Sequence, residues 1–314
     1  MEAEAAPSQA CSREAPKPVK PVKPVKIAAP GLDLDLVVRS HGWYDLAPFE
    51  WDEKARRLSF VFLDDGCAAV SVAVKECDGG VEARASAGVP APVLRRAVRR
   101  VLDLDADLAP FHALCRERDA EGFGWIARRG AGRFLRSPTL FEDAVKVLAT
   151  TNCSWALTRA VVKNLVEAFG RGGAFPDPPF VAAMGEKRLR DEIRLGYRAP
   201  FLAAFAEKVT SGKLDLSRWE EAERSDDDVF REVRAQKGFG PYAADTLGRL
   251  LGRHGKLGLD SWSRKKVAAL RFRGRAVKDA RVEKLYAPFG RWAGLAFWLD
   301  VTREWHEGRE RLWP

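Results

Sequence analysis

The chain has 314 residues, 46% of them hydrophobic, ten tryptophans and a formal net charge of +9. That is apolar mass enough for one large domain or two ordinary ones. No apolar run is long enough to cross a bilayer and no charged-then-apolar leader opens the chain, so a soluble, intracellular protein with no membrane partner is expected. The excess of Lys and Arg favours a polyanionic partner, nucleic acid being the commonest, with a generic basic enzyme as the alternative.

Residues 1–30 are Ala, Pro, Lys and Glu around the repeat "KPVKPVKPVK". Proline at every third place removes ladder donors and blocks helix, so a disordered, mildly basic tail is expected there. From 31 to 105 short strand signals follow one another: "LDLDLVVRS", "RLSFVFLDDG", "CAAVSVAVKEC" and, after the turn "DGG", "VEARASAG". They lead into "PAPVLRRAVRRVLDL", a helix opened by proline with Val93, Leu94, Val98, Val101 and Leu102 as its apolar stripe. Strands at about ten-residue spacing and then a helix predict an antiparallel sheet with a helix on one face, an α+β unit.

From 106 to 314 the periodicity is helical. "SPTLFEDAVKVLATTNCSWALTRAVVKNLVEAFG" carries Leu140, Val145, Leu148, Val161, Val162, Leu165 and Phe169 at helical spacing, split into two helices by "TTNCS" and ended by Gly170. "EKRLRDEIRLGYRAPFLAAFAEKV" predicts two more helices around Gly196. Cys11, Cys67, Cys77, Cys115 and Cys153 are scattered, odd in number and at no CxxC or zinc-like spacing, which points away from a disulfide framework, a zinc site or an iron–sulfur cluster.

The stretch "KGFGPYAAD", residues 237–245, is the most informative. Gly238 and Gly240 are expected to turn the chain with positive φ, Phe239 to anchor the turn, and Pro241 to open the next helix at its first position. Backbone amides at such a helix start can meet a phosphate closely. Taken alone, the pattern also suits an ordinary αα-hairpin. One helix later, Asp260 in "LGLDSW" stands where an N-cap would.

Together these segments resemble the helix–hairpin–helix superfamily of DNA glycosylases, in which a glycine hairpin, a Gly/Pro-rich loop and an aspartate form one unit. "KGFGPYAADTLGRLLGRHGKLGLDSWSRKKV" matches that unit, "LGYRAPFL" its Gly-Tyr-Arg helix junction, and "YAPFGRWAGLAFWL" the closing helix that walls the base pocket. The resemblance runs in order from about 106 to 305, and more weakly the N-terminal strands are similar to the TATA-binding-protein-like (TBP-like) domain of the 3-methyladenine and 8-oxoguanine branches.

The resemblance implies a base-excision-repair enzyme on double-stranded DNA containing damaged bases, acting as a monomer. Asp260 would be the catalytic carboxylate and Gly238, Phe239 and Gly240 the DNA-binding hairpin. Asn152 would be the wedge filling the gap in the stack, with Tyr242, Trp262 and Trp292 around the extruded base. Bifunctional members carry a lysine two residues after the second hairpin glycine; Tyr242 stands there, which implies a monofunctional enzyme using water. An electron-rich pocket tilts the expected substrate toward alkylated bases. The alternatives are an 8-oxoguanine-type glycosylase/lyase and a non-enzymatic helix–hairpin–helix DNA-binding protein. No metal is implied beyond a structural monovalent cation at the hairpin. The expected location is the nucleus in a eukaryote, otherwise the cytoplasm or nucleoid.

Overall fold

The computed structural model describes residues 23–86 and 88–307, so most of the expected tail, with Cys11, lies outside the described residues. Five strands form one antiparallel sheet in the order β1-β5-β4-β3-β2, built from β1 (Val25–Ala28), β2 (Glu50–Asp52), β3 (Arg57–Leu63), β4 (Ala69–Cys77) and β5 (Gly80–Ala85). Strict alternation sets the register: Leu58, Phe60 and Phe62 of β3 are buried while their neighbours are half-exposed. Helix α2 (Ala91–Val101) covers the sheet with Leu94, Val98 and Val101.

Two expectations are corrected here. β1 lies inside the segment read as tail: once the proline repeat ends at Pro24, Val25 and Ile27 alternate inward and pair with Ala83 and Val81. "LDLDLVV" is not a strand but helix α1 (Leu34–Val38), capped by the Asp33 carboxylate, which accepts from the amides of Asp35 and Leu36. Leu34, Leu36, Val37 and Val38 are all buried, and a short segment covered nearly all round carries no periodicity that separates helix from strand.

The rest is helical: α3 (Ala109–Glu117), α4 (Gly124–Arg129), α5 (Leu140–Thr150), α6 (Trp155–Phe169), α7 (Pro178–Asp191), α8 (Ala199–Thr210), α9 (Asp226–Arg234), α10 (Pro241–Leu250), α11 (Ser261–Arg271), α12 (Asp279–Tyr286), α13 (Ala293–Val301) and α14 (Arg303–His306). The predicted split at "TTNCS" falls between α5 and α6, with Thr139 and Ser154 capping the two starts.

One apolar core runs through sheet and helices, and side-chain bonds fasten the two at the loop after α1. Ser40 Oγ accepts from the Leu135 amide, Trp298 Nε1 donates to the Ser40 carbonyl, and Trp43 Nε1 donates to the buried Asp143 carboxylate at 2.8 Å. Beneath them Lys146, fully buried, pairs with Glu142 at 2.6 Å and lies over the Phe49 ring. The N-terminal segment is thereby held against the helices, so residues about 90 positions apart in sequence can line one cavity.

Candidate active site

The hairpin between α9 and α10 is built by packing on one side and left bare on the other. Ser225 caps α9 and three aspartates fill its first turn, so the helix runs as far as Arg234 before the chain turns. Phe239 is buried, its amide donates to the Gln236 carbonyl at 3.1 Å, and its ring lies 5.2 Å from that of Phe205. Gly238 has φ +90°, and a Cβ there would stand 2.7 Å from Leu148 Cδ1 and 2.9 Å from Phe201 Cδ2. Glycine is therefore required at 238 by both backbone and core.

Gly240 differs from the expectation of positive φ. Its backbone is extended, at φ −70° and ψ −176°, a conformation open to any residue. A Cβ at 240 would meet nothing within 4 Å. Neither conformation nor internal packing calls for glycine there; the bare surface is left for whatever approaches from outside. Pro241 is the first residue of α10 and no side chain caps that helix start, so its first-turn amides remain for an external acceptor.

Asp260 is the N-cap of α11. Its Oδ1 accepts from the Ser263 amide at 2.6 Å while Ser263 Oγ accepts from the Asp260 amide at 2.9 Å, a reciprocal capping box. The second carboxylate oxygen has no hydrogen-bond partner among the described residues. The carboxylate is thus held in one orientation with half its acceptor capacity in reserve.

Asp260 and the hairpin border the same cavity, of about 1010 Å³. Tyr242, Trp262 and Asn152 line it too. Tyr242 is half-buried, and burial, with the Asp260 charge adding to it, pushes its phenol above the ordinary range, so it is a neutral wall at physiological pH. Trp262 packs on Trp305 with ring centres 5.1 Å apart and shows its remaining surface to the cavity. Asn152 stands exposed at the α5–α6 junction with φ +46°, its amide donating to the Tyr197 hydroxyl at 3.3 Å. Arg198 steadies that junction by donating to Thr151 Oγ1 and to the Thr151 carbonyl.

Trp292 is not brought to the cavity. It is buried, with ring centres 5.4 Å from His254 and 5.5 Å from Phe111, because the turn preceding α13 points it into the helical core. It is a packing residue.

Other lining residues escaped the sequence reading. His41, Gly42 and Trp43 come from the loop after α1, Phe134 from the segment between α4 and α5, and Trp298 from α13. His41 is buried and bonded through Nε2 to the Leu135 carbonyl at 2.6 Å, and desolvation pulls its pKa down to about 3, so it is a neutral ring. Arg249 also lines the cavity, on the α10 face that carries Tyr242 and Thr246. Its spacing of seven from Tyr242 is the one signal that could have found it. Among the described residues no group of three or more His, Cys, Asp or Glu side chains gathers as a metal site would.

A glycine hairpin opening one helix, a capping carboxylate opening the next, and an aromatic cavity between them lay out the fold of the helix–hairpin–helix DNA glycosylases. The known structures it matches agree. The 3-methyladenine DNA glycosylase from Archaeoglobus fulgidus superposes with a TM-score of 0.69 over 90% of this chain and 98% of that one, at 17% identity. MBOgg1 in complex with a low-affinity DNA ligand gives 0.68 over 91% and 99%, at 20% identity. The Clostridium acetobutylicum 8-oxoguanine glycosylase/lyase, bound to double-stranded DNA with cytosine opposite 8-oxoG, gives 0.62 over 86% and 93%, at 17% identity. At these identities the likeness is one of fold. No protein-family model matches the chain, and no curated protein does.

Proposed function

We propose that this protein is a monofunctional DNA glycosylase that hydrolyses the N-glycosidic bond of a damaged base flipped out of a duplex. The observation that carries the reading is that Asp260, the uncapped start of α10 and a set of aromatic walls border one cavity, with a phenol at position 242. The α10 amides and the bare Gly240 would hold a backbone phosphate, fixing register without reading sequence. Asn152 and Tyr197, exposed at the rim, would occupy the space the extruded nucleotide leaves. Trp43, Phe134 and Trp262 suit stacking on an extruded base, alkylated bases among them.

In the reaction the C1′–N bond breaks with its electron pair leaving on the base, and positive charge develops on the sugar. The oxygen of Asp260 that Ser263 does not occupy would stabilise that charge and orient water. The water oxygen bonds to C1′, and one of its protons balances the charge on the departing base. The net products are free base and an abasic site.

A lyase would need an uncharged amine aimed at C1′. The cavity lining includes one lysine, Lys237, exposed and on the α9 side of the hairpin. The carbonyls of Lys237, Gly238 and Phe239 accept no backbone hydrogen bond among the described residues, and would be available to ligate a monovalent cation. Such an ion would add positive charge where the phosphate docks.

The reading is tested by a base-release screen over duplexes bearing single lesions, with borohydride added in parallel. Base release without covalent capture supports it. Capture by the wild-type protein would establish the lyase reading instead, and lesion binding with no release from any duplex would leave a binding protein.

A further inference from the structure

The cavity holds a charge that the glycosylase reading does not use. Arg249 is 5% exposed and lines the cavity. Its guanidinium carbon lies 4.6 Å from the centre of the Trp298 ring. Nη1 donates to the Leu257 carbonyl at 3.3 Å and Nη2 to Thr246 Oγ1 at 3.4 Å, both long. These use two of the five donors a guanidinium carries, and Arg249 makes no ion pair among the described residues. Desolvation lowers its pKa from the arginine value, the mark of a cation kept from water. The space it fills is shaped for it, since a Cβ at Gly258 would stand 2.9 Å from Nη2.

A buried cation with spare donors is costly to keep unless something supplies acceptors. Inside the protein the nearby negative groups are Asp245 and Asp260, neither of which forms an ion pair with it among the described residues. The Trp298 face, which would otherwise attract a positively charged base, already has a cation over it.

We infer that Arg249 is a specificity-determining residue that selects an uncharged damaged base presenting a carbonyl oxygen or ring-nitrogen acceptor, and rejects bases made cationic by ring alkylation. This rests on the glycosylase reading of the cavity. The guanidinium donates to the acceptor edge of the base while the aromatic walls stack on its faces. A base such as 7-methylguanine would bring a second positive charge beside it, in surroundings that screen poorly. The selection narrows the expectation of alkylated bases to those that remain neutral.

The test uses the full chain carrying Asp260→Asn, so that binding is read without turnover. Fluorescence anisotropy measures its affinity for four matched duplexes: undamaged guanine, 7-methylguanine, 8-oxoguanine and hypoxanthine. At least one uncharged lesion is expected to bind roughly 10- to 100-fold more tightly than 7-methylguanine, and adding Arg249→Met is expected to remove that difference. Should Arg249→Met not fold, the ratio in the Asp260→Asn protein decides alone. Arg249→Lys, which keeps the charge without the fork, should keep the exclusion of 7-methylguanine while weakening the uncharged lesions. Equal affinity for cationic and uncharged lesions, or a ratio unmoved by Arg249→Met, overturns the inference. Failure of the wild-type protein to release any base would instead strike the glycosylase reading and leave the binding ratio standing.

Discussion

Asp260 and Ser263 hold each other: the carboxylate accepts the Ser263 amide at 2.6 Å and the serine hydroxyl accepts the Asp260 amide at 2.9 Å. A capping box is ordinarily a device for starting a helix. Here it also leaves a carboxylate with one oxygen engaged and the other without a hydrogen-bond partner among the described residues, in a residue that lines the cavity.

Asp260→Asn keeps an acceptor for the Ser263 amide and so should fold with a melting temperature near that of the wild type. Base release in single-turnover assays should fall by about 10²- to 10³-fold, the order seen when one electrostatic stabiliser of a developing charge is removed. Ser263→Ala is expected to do the reverse: it loosens the cap, costing about 1 kcal/mol in urea denaturation, with a smaller loss of rate.

The two hairpin glycines should separate stability from binding. Gly238→Ala forces a side chain into Leu148 and Phe201 at φ +90° and should destabilise by about 1–3 kcal/mol. Gly240→Ala has open space and an ordinary backbone, so its stability should stay within about 0.5 kcal/mol of the wild type. Its affinity for duplex DNA, read by anisotropy, should nevertheless fall. A Gly240→Ala protein that binds as well as the wild type would remove the phosphate role from the hairpin.

Tyr242 lines the cavity together with Asp260, and on the proposed reading it stands where a lyase would carry its amine. Borohydride should capture no complex with the wild-type protein. Tyr242→Lys is expected to give a covalent complex, because burial, the largest influence on the side chain at this position, favours the uncharged form of an amine over the opposing pull of the Asp260 charge. Gel electrophoresis of the trapped mixture reads the outcome.

Stability should fall in mild acid. His41 and His254 are both buried neutral, with pKa values pulled by desolvation to about 3 from the ordinary 6.5. The unfolded chain therefore takes up protons below about pH 6.5 that the folded chain refuses until about pH 3, so stability drops as pH falls through that window. Each histidine contributes a slope approaching about 1.4 kcal/mol per pH unit. Urea midpoints at pH 7, 6 and 5 should show the decline, and His254→Gln should make it shallower.

The Lys146–Glu142 pair is buried within α5, with Lys146 lying over the Phe49 ring. Lys146→Ala strands a carboxylate that burial already pushes upward in pKa, and should cost about 3–5 kcal/mol in chemical denaturation. Glu142→Gln with Lys146→Met removes both charges and should recover most of that loss.

Features written into short stretches of chain were legible in the sequence alone. Caps, the proline start of α10 and the strand alternation of β3 are local, because each depends on residues within a turn or two, and the spacing from hairpin to Asp260 is written in one helix and the loop after it. The tertiary structure decided what depends on neighbours distant in the chain. It made "LDLDLVV" a helix, since burial on nearly every side erases the period that distinguishes helix from strand. It turned Trp292 into the core and brought Trp43 and Phe134 to the cavity, since a wall is assembled by packing between distant segments. It gave Gly238 its steric necessity and Gly240 its open surface, a difference that two identical letters in the hairpin could not carry. And it buried Arg249 against Trp298, placing a charge in the pocket whose electrostatic consequence exists only once water has been excluded around it.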